Sequence, residues 1–288
     1  MYAVTGVTGK VGSVVARILL EAGLPVRAIV RDEEKGKAWA ALGAEIAIAN
    51  ISDADALAAA FAGTAGVFLM TPPNYDPDPG FPEAVANAAA VKTAIDAARP
   101  GKVVFLSTVG AHVPEFNLLN NSKLTEEMLR TVSVPVSFVR AAWFMENAAW
   151  DIDAARSGKI PSYLQPLDHP IPMVATIDIG RTITDVLRES WNGVRIVELE
   201  GPKRYSANDI ASAFAAALGH PVHMEPVPRD TWETRFRAEG MKHPIARIRM
   251  VDGFNEGWID FERGGTEHRE GATTLDKAIS ILVKGNVK

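Results

Sequence analysis

The sequence predicts an α/β protein with a doubly wound parallel sheet and a smaller C-terminal α/β lobe. Through roughly the first 150 residues, short apolar segments alternate with amphipathic segments of helical length. This alternation is typical of a parallel sheet with helices on both faces. A glycine-rich turn, TGVTGKVG at residues 5–12, joins the first apolar segment to the first amphipathic one. Beyond about residue 150 the alternation loosens, which indicates a second unit.

The elements of the first half follow from the spacing of apolar residues. Residues 10–22 place Val11, Val15 and Leu19 on one helical face, and Gly23 follows as a C-terminal stop. Asp53 stands directly before the helix predicted at residues 54–61. The predicted strands are residues 1–4, 25–30, 45–49, 66–70, 102–106 and 135–139. The predicted helices are residues 10–22, 33–42, 54–61, 83–98 and 122–130.

In the second half, residues 178–189 are predicted as a helix and residues 195–199 as a strand that returns to the sheet. Ser206, with Asp209 three residues later, resembles a capping box, and Gly219 ends that helix. Residues 158–172 are predicted as a loop or hairpin, and two further helices and a glycine-rich segment follow. We therefore expect one domain at residues 1–150, with a return near 175–200, and a smaller lobe at residues 151–288.

Composition and charge exclude several classes of protein. A net charge of −5 over 288 residues argues against a protein that binds nucleic acid by neutralising phosphates. No apolar run is long enough to span a bilayer, and the first residues are predicted as a strand rather than a signal peptide. Cysteine is absent, and His220 and His223 fit a hairpin better than a metal site. We expect a cytoplasmic protein with no metal, no membrane and no nucleic-acid partner.

The turn at residues 5–12 lies between a strand and a helix, which is the context that a dinucleotide-binding fingerprint requires. Gly6 would allow a sharp turn off the strand, Gly9 would let backbone N–H groups approach a pyrophosphate, and Gly12 would let the helix pack closely. The helix N-terminus adds orphan N–H donors and partial positive charge. The alternative is a tight turn without a ligand. On the fingerprint, we predict a Rossmann-like dinucleotide-binding domain followed by a substrate-binding lobe.

Several further segments accompany the G-x-x-G-x-x-G spacing. These are AIVRDEEKGKAWAALGAEI, GVFLMTPP, VVFLSTVGA, NSKLTEEML and FVRAAWFMEN. With them, most of the chain resembles the NmrA-like branch of the atypical short-chain dehydrogenase/reductases. The resemblance implies binding of a nicotinamide dinucleotide. It also implies one of two functions found in that branch: NADPH-dependent reduction of quinones and dyes, or non-catalytic sensing of the dinucleotide redox state.

The residue that ends the second strand bears on which dinucleotide binds. A carboxylate there would hold the ribose 2′-hydroxyl of NAD(H), whereas a guanidinium can hold a 2′-phosphate through paired, charge-assisted hydrogen bonds. Here the strand AIVR ends in Arg31, with Lys35 nearby, which favours NADP(H). The adjacent Asp32 keeps NAD(H) as an alternative. Asn50, after the third strand, can serve the adenine edge through its amide.

The usual proton donor of the superfamily is missing. Ordinary short-chain dehydrogenases use Ser, Tyr and Lys, with Tyr-x-x-x-Lys on one helix, but none of the four tyrosines here has a lysine four residues later. At the matching place Leu119 stands four residues before Lys123, which the resemblance directs to the nicotinamide ribose. Ser107 ends the fifth strand, where the catalytic serine would lie. Tyr75 and Tyr163, on loops expected to face the cleft, are the remaining candidate donors.

The resemblance implies further contacts with the cofactor. Phe144 and Asn147, in WFMEN after the sixth strand, are expected beside the nicotinamide and the substrate. The remaining predicted cofactor-binding residues are Thr8, Lys10, Val11, Thr71 and Pro72, together with Ser107 and Lys123.

Two functions remain open on this sequence. The first is NADPH-dependent reduction of a quinone or similar conjugated acceptor by direct hydride transfer. A quinone suits a site without an acid, because the hydroquinone anion has a phenol-like pKa of about 10 and water can protonate it. The second is a non-catalytic NAD(P)(H) sensor that acts through a protein partner. The first predicts a small-molecule acceptor as the partner, and a homodimer is a further, open expectation.

Overall fold

A single large sheet organises the chain. A computed structural model describes residues 1–285. Its strands are β1 (Tyr2–Val4), β2 (Val26–Val30), β3 (Glu45–Ile48), β4 (Gly66–Leu69), β5 (Val103–Thr108), β6 (Val136–Ala141), β7 (Trp143–Phe144), β8 (Lys159–Ser162), β9 (Met173–Val174), β10 (Val194–Glu200), β11 (His223–Pro226) and β12 (Glu267–Glu270). Eight of these described strands form one parallel sheet in the order β12-β10-β6-β5-β4-β1-β2-β3.

Helices cover both faces of this sheet. They are α1 (Lys10–Glu21), α2 (Glu33–Ala41), α3 (Ala54–Phe61), α4 (Pro82–Ala98), α5 (Asn120–Leu129), α6 (Ile152–Arg156), α7 (Thr176–Arg188), α8 (Ala207–Leu218), α9 (Trp232–Ala238), α10 (Ile245–Glu256) and α11 (Leu275–Gly285), with short 3-10 helices at Met145–Asp151 and Arg229–Thr231. α1 and α7 pack together on one face, and α3, α4 and α5 pack side by side on the other. The predicted doubly wound α/β fold is confirmed.

The predicted elements of the first half differ from the observed ones by at most two residues at either end. The capping box at the start of α8 is also confirmed. The Ser206 hydroxyl accepts the Asp209 backbone N–H at 3.2 Å, and the Asp209 carboxylate accepts the Ser206 backbone N–H at 2.8 Å. Gly219 ends α8 in the left-handed conformation, with φ of 77°, which favours glycine.

The second half departs from the prediction in two places. Residues 158–172, expected as a loop or hairpin, contain β8, whose partner is the parallel strand β11. No hairpin forms there or around His223, because a parallel pair requires a long connection. The segment expected only as glycine-rich contains β12, which pairs with β10 at the sheet edge. β10 and β12 therefore extend the sheet from residues beyond 150, and the division into two domains stays a prediction.

Candidate active site

The three glycines of the turn differ in their surroundings. Gly6 has φ of +64°, and a Cβ there would lie 2.4 Å from the sulfur of Met70. A Cβ at Gly12 would lie 2.3 Å from the carbonyl oxygen of Gly6, so α1 packs directly against the turn. A Cβ at Gly9 would meet only that same oxygen, at 3.3 Å. The turn is therefore closed toward the sheet and open at Gly9.

The start of α1 suits an anion. Gly9 is its N-cap, no side chain caps the helix, and no acidic residue lies in its first turn. The first backbone N–H groups of a helix lack intrahelical partners and carry partial positive charge. Thr8 and Lys10 are exposed beside them, Val11 is buried, and the Lys10 ammonium donates to the carbonyl of Glu146 at 3.3 Å. An open cradle with unused donors fits the pyrophosphate of a dinucleotide.

Arg31 and Asp32, at the end of β2, have different surroundings. Asp32 is the N-cap of α2: its carboxylate accepts the Lys35 backbone N–H at 3.0 Å and lies 3.2 Å from the Lys35 ammonium. The hydrogen bond from the Lys35 backbone lowers the pKa of Asp32. Arg31 is exposed, and within residues 1–285 its guanidinium has no hydrogen bond or ion pair. Asn50 is exposed after β3. The free guanidinium fits a 2′-phosphate.

A cavity of about 800 Å³ lies at the carboxyl ends of β4, β5 and β6, between them and helices α9 and α10. Of the predicted site residues, those that line it are Thr71, Pro72, Tyr75, Ser107, Phe144, Asn147 and Tyr163. Those outside the lining are Gly6, Thr8, Gly9, Lys10, Val11, Gly12, Arg31, Lys35, Asn50 and Lys123. The two groups are joined at Thr5, whose hydroxyl accepts the backbone N–H of the cavity residue Met70 at 2.9 Å.

Ser107 and Lys123 are both engaged with protein groups. The Ser107 hydroxyl donates to the Glu126 carboxylate at 2.5 Å, and Glu126 in turn accepts two hydrogen bonds from Arg140, at 3.0 and 2.8 Å. The hydroxyl proton of Ser107 is thus used in the hydrogen bond to Glu126, whereas the hydroxyl oxygen can still accept a hydrogen bond. The Lys123 ammonium donates to the carbonyl of Val113 at 3.1 Å. The structure does not bring Lys123 into the cavity lining, and its role toward a ribose stays a prediction.

The two candidate tyrosines line the cavity on separate segments. Tyr75 packs edge-on against Trp150, with ring centroids 5.6 Å apart, and Tyr163 packs against Trp232 at 5.4 Å. Burial raises the pKa of both tyrosines. In the described part of the chain, neither hydroxyl has a hydrogen-bond partner. The nearby Arg247 guanidinium lowers the pKa of each tyrosine, but by less than burial raises it.

The charged cavity residues that the sequence did not predict include Asp151 and Arg247. Asp151 is half-buried, and burial raises its pKa to about 6. The Arg247 guanidinium lies 4.6 Å from the ring centroid of Phe236 and pairs with no carboxylate within residues 1–285. The neighbours of Asp151 in the sequence give no local signal of burial, since Trp150 is 64% exposed. Arg247 had no such signal, because its neighbours come from other elements.

The fold and the glycine turn define an α/β protein of the Rossmann type. A family model described as the NmrA-like family matches residues 2–264, and the chain belongs to that family. The resemblance stated from the sequence is confirmed. Metal-ligand clusters and membrane spans were also sought: within residues 1–285, no group of His, Asp and Glu could hold a metal ion. No helix in that range has both the length and the apolar character to cross a membrane.

Relatives of known name cover most of the chain. It is 28% identical over 258 residues to the NAD(P)H azoreductase of Xenophilus azovorans, a match that covers 89% of this chain and 85% of the relative. It is 30% identical over 241 residues to the (4-alkanoyl-5-oxo-2,5-dihydrofuran-3-yl)methyl phosphate reductase of Streptomyces griseus, covering 83% and 81% of the two chains. An NADPH-dependent quinone oxidoreductase of Escherichia coli, solved with NADPH, superposes with a TM-score of 0.80, at 22% identity over 98% of this chain and 99% of the other. That likeness shows the fold.

Proposed function

We propose that this protein is an NADPH-dependent oxidoreductase that reduces a quinone or a similar conjugated acceptor by direct hydride transfer. The observation that carries the proposal is the hydrogen bond from Met70 to Thr5. It joins Thr5, at the start of the glycine turn, to Met70 in the lining of the cavity of about 800 Å³, which supports an acceptor site next to the cofactor site. The names of the relatives, an NAD(P)H azoreductase, a (4-alkanoyl-5-oxo-2,5-dihydrofuran-3-yl)methyl phosphate reductase and a quinone oxidoreductase, support reductase chemistry.

The chain's own residues suit NADPH at each part of the molecule. The glycine turn and the start of α1 would hold the pyrophosphate, and Arg31 would hold the 2′-phosphate, with Lys35 beside it. Thr71, Pro72, Phe144 and Asn147 would border the nicotinamide. The oxygen of Ser107 would accept a carboxamide N–H, since its own proton goes to Glu126. When bound, NADPH supplies a hydride, that is, two electrons and one hydrogen nucleus.

The cavity walls suit a flat, conjugated acceptor. Aromatic side chains border it on several sides, among them Trp143 and Phe254, whose rings pack edge-on at 5.2 Å. Such walls hold a planar ring by packing and exclude water, and they orient the acceptor against the cofactor site. Holding two reactants in a reactive geometry is worth several kcal/mol of barrier without any acid or nucleophile.

The deciding experiment follows NADPH oxidation by the purified protein against a panel of quinones, dyes and simple aldehydes. We expect turnover with quinones and dyes and poor rates with aldehydes. Reduction of an aldehyde gives an alkoxide, which needs a proton donor far more than a hydroquinone anion does. Calorimetry with NADPH and NADH measures cofactor binding on the same sample. Tight NADPH binding without oxidation by any acceptor would contradict the reductase proposal and favour a non-catalytic redox sensor.

A further inference from the structure

The carboxyl of Asp151 lines the cavity without a partner. Asp151 ends the 3-10 helix Met145–Asp151, which begins directly after Phe144 and also carries Asn147 into the cavity lining. The side chain is half-buried. Among residues 1–285, no group donates a hydrogen bond to it and no cation pairs with it. Its carboxyl is therefore available to a molecule in the cavity.

The other carboxylates that line the cavity are engaged or exposed. Asp76 accepts two backbone N–H groups, at 2.7 and 2.6 Å. Glu83 accepts an amide N–H at 2.6 Å, and Asp78 lies 3.4 Å from an imidazole nitrogen. Glu239 is exposed at the end of α9. Asp151 alone among the described lining residues combines a carboxyl, partial burial and the lack of a partner.

Burial is what sets the acidity of this group, raising its pKa to about 6. Lys10 of α1 reaches the helix of Asp151 at the Glu146 carbonyl, and the elements that pack most closely against that helix are α6 and α11. Their charged side chains are Asp153, Arg156, Asp276, Lys277 and Lys284. The charged or titratable groups across the cavity are Tyr75, Asp76, Asp78, Glu83, Tyr163, Glu239 and Arg247. None of them shifts the pKa of Asp151. A carboxyl of this acidity gives up and regains a proton near neutral pH, as a general acid must.

We propose that Asp151 is the proton donor of the reductase, an inference that rests on the function proposed above. Hydride addition to a conjugated acceptor leaves an electron pair and a negative charge on its distal oxygen or nitrogen. The O–H bond of Asp151 breaks, the proton bonds to that atom, and the electron pair of the O–H bond stays on the carboxylate. Water then returns a proton to Asp151. Per turnover the acceptor gains a hydride from NADPH and a proton from Asp151.

The need for this proton depends on the acceptor. A hydroquinone anion has a pKa near that of a phenol, about 10, and water can protonate it. The nitrogen anion formed when hydride adds to an azo group is far more basic, so its formation depends strongly on an acid. A loss that differs between the two acceptors therefore separates proton donation from cofactor positioning, which would affect both equally.

The test compares Asp151→Asn with Asp153→Asn, a control two residues away whose side chain is 94% exposed. NADPH oxidation is followed with an azo dye and with a naphthoquinone over a range of about pH 5 to 8. With the dye, we expect Asp151→Asn to lose about 10²–10⁴-fold in kcat. Wild-type kcat with the dye should fall above about pH 6, and the variant should lose this dependence. The loss with the quinone should be smaller, and Asp153→Asn should follow wild type throughout.

A second measurement needs neither cofactor nor acceptor. The folded protein binds the Asp151 proton more tightly than the unfolded chain, so the ionised carboxyl opposes folding above about pH 6. Asp151→Asn removes that penalty. Its thermal midpoint should exceed that of wild type at about pH 7.5, and the difference should shrink as the pH is lowered toward about 4.5. Asp153→Asn should show no such trend.

The outcomes are distinguishable. Wild type that binds NADPH and reduces no acceptor contradicts the proposed function itself. An active wild type matched by Asp151→Asn in rate and pH profile with the dye overturns the proton donor alone. In that case a loss of about a hundredfold in Tyr75→Phe or Tyr163→Phe would assign the proton to a tyrosine. An equal loss with dye and quinone would make Asp151 a positioning residue.

Discussion

At the scale of single residues, two neighbouring side chains of opposite charge follow β2 and differ in what they contact. The Asp32 carboxylate caps α2 and pairs with Lys35, whereas within residues 1–285 the exposed guanidinium of Arg31 has no hydrogen bond or ion pair. An acidic residue in this position would ordinarily favour NAD(H). Because the Asp32 carboxylate is already used by the helix, the charge left for the ribose is that of Arg31. This arrangement supports NADP(H).

Arg31→Asp should therefore weaken NADPH binding selectively. Loss of a charge-assisted pair with the 2′-phosphate, plus repulsion from the new carboxylate, should cost on the order of 1.5–3 kcal/mol, roughly 10- to 150-fold in Kd. NADH affinity should change little. Calorimetry with both dinucleotides measures the two values. Lys37→Asp is the matched charge reversal, since Lys37 is an exposed residue of α2 paired with Glu34. Unchanged NADPH affinity in Arg31→Asp would make Arg31 a bystander.

The sequence predicted the site residues whose roles depend on residues close to them in the sequence. The glycine turn lies between β1 and α1, and Arg31 directly follows β2, so local spacing within each strand–turn–helix unit describes them. The pairing of Ser107 with Glu126 and of Lys123 with Val113 depends on how α5 packs on β5, which no local pattern encodes. Asp151 and its raised pKa depend on which distant side chains remove water from it.

At the scale of elements, two glycines at the start of α1 differ in what an added side chain would disturb: ligand binding at Gly9 and folding at Gly12. A Cβ at Gly9 would point to open space apart from one oxygen at 3.3 Å, whereas a Cβ at Gly12 would lie 2.3 Å from the Gly6 carbonyl oxygen. Gly9 has φ of −98°, which any residue adopts. Packing within the protein therefore excludes a side chain at Gly12, whereas at Gly9 the ligand we propose would exclude it.

Gly9→Val should abolish binding of both dinucleotides and leave the fold intact. The added methyl groups would occupy the space of the pyrophosphate, while the free energy of unfolding should change by no more than about 1 kcal/mol. Gly12→Val should instead lower stability by several kcal/mol, because the turn and α1 cannot separate without losing their packing. Urea unfolding and NADPH calorimetry distinguish the two. A folded Gly9→Val that binds NADPH normally would disprove the cradle.

Elements with their own apolar pattern were predictable, and elements defined by a distant partner were not. α3 begins where Asp53 caps it and ends as predicted. β12 has the sequence EHRE, with no apolar residue, and its side chains are exposed or only partly buried at the sheet edge. β8 pairs with a strand that begins at His223, so its own segment looked like a loop. Pairing between strands that are far apart in the sequence cannot be predicted from a short segment of either strand.

At the scale of the whole molecule, a buried row of polar residues joins the two halves of the chain. Ser107, Arg140 and Glu198 lie opposite one another on β5, β6 and β10. Arg140 is 98% buried, pairs with Glu126, and reaches Glu262 at 2.7 Å. Glu198 accepts the Glu262 backbone N–H at 2.7 Å. The chain that leads into β12 is thereby fixed beside the central sheet.

Arg140→Met should be among the most destabilising substitutions in this protein. It leaves the buried carboxylate of Glu198 without its cation and leaves Glu126 with only the more exposed Arg130, at 3.4 Å. Removing one partner of a buried ion pair typically costs about 3–5 kcal/mol. Arg237→Met removes an exposed pair with Glu233 and should cost less than about 1 kcal/mol. Urea unfolding measures both. Adding Glu126→Gln to Arg140→Met should recover part of the loss. A cost for Arg140→Met no greater than that of Arg237→Met would contradict the importance of the row.

The strand order of the main sheet also bears on how the chain is assembled during synthesis. β2 and β3 add outward from β1 on one side, and β4, β5, β6, β10 and β12 add outward in turn on the other. Each strand of this sheet therefore finds its neighbour already made when it leaves the ribosome, and no place has to be held open for later chain. The growing nascent chain can fold strand by strand. The cavity wall contributed by α9 and α10 comes late in this order, so the glycine turn that we propose for the cofactor forms before the cavity that we propose for the acceptor.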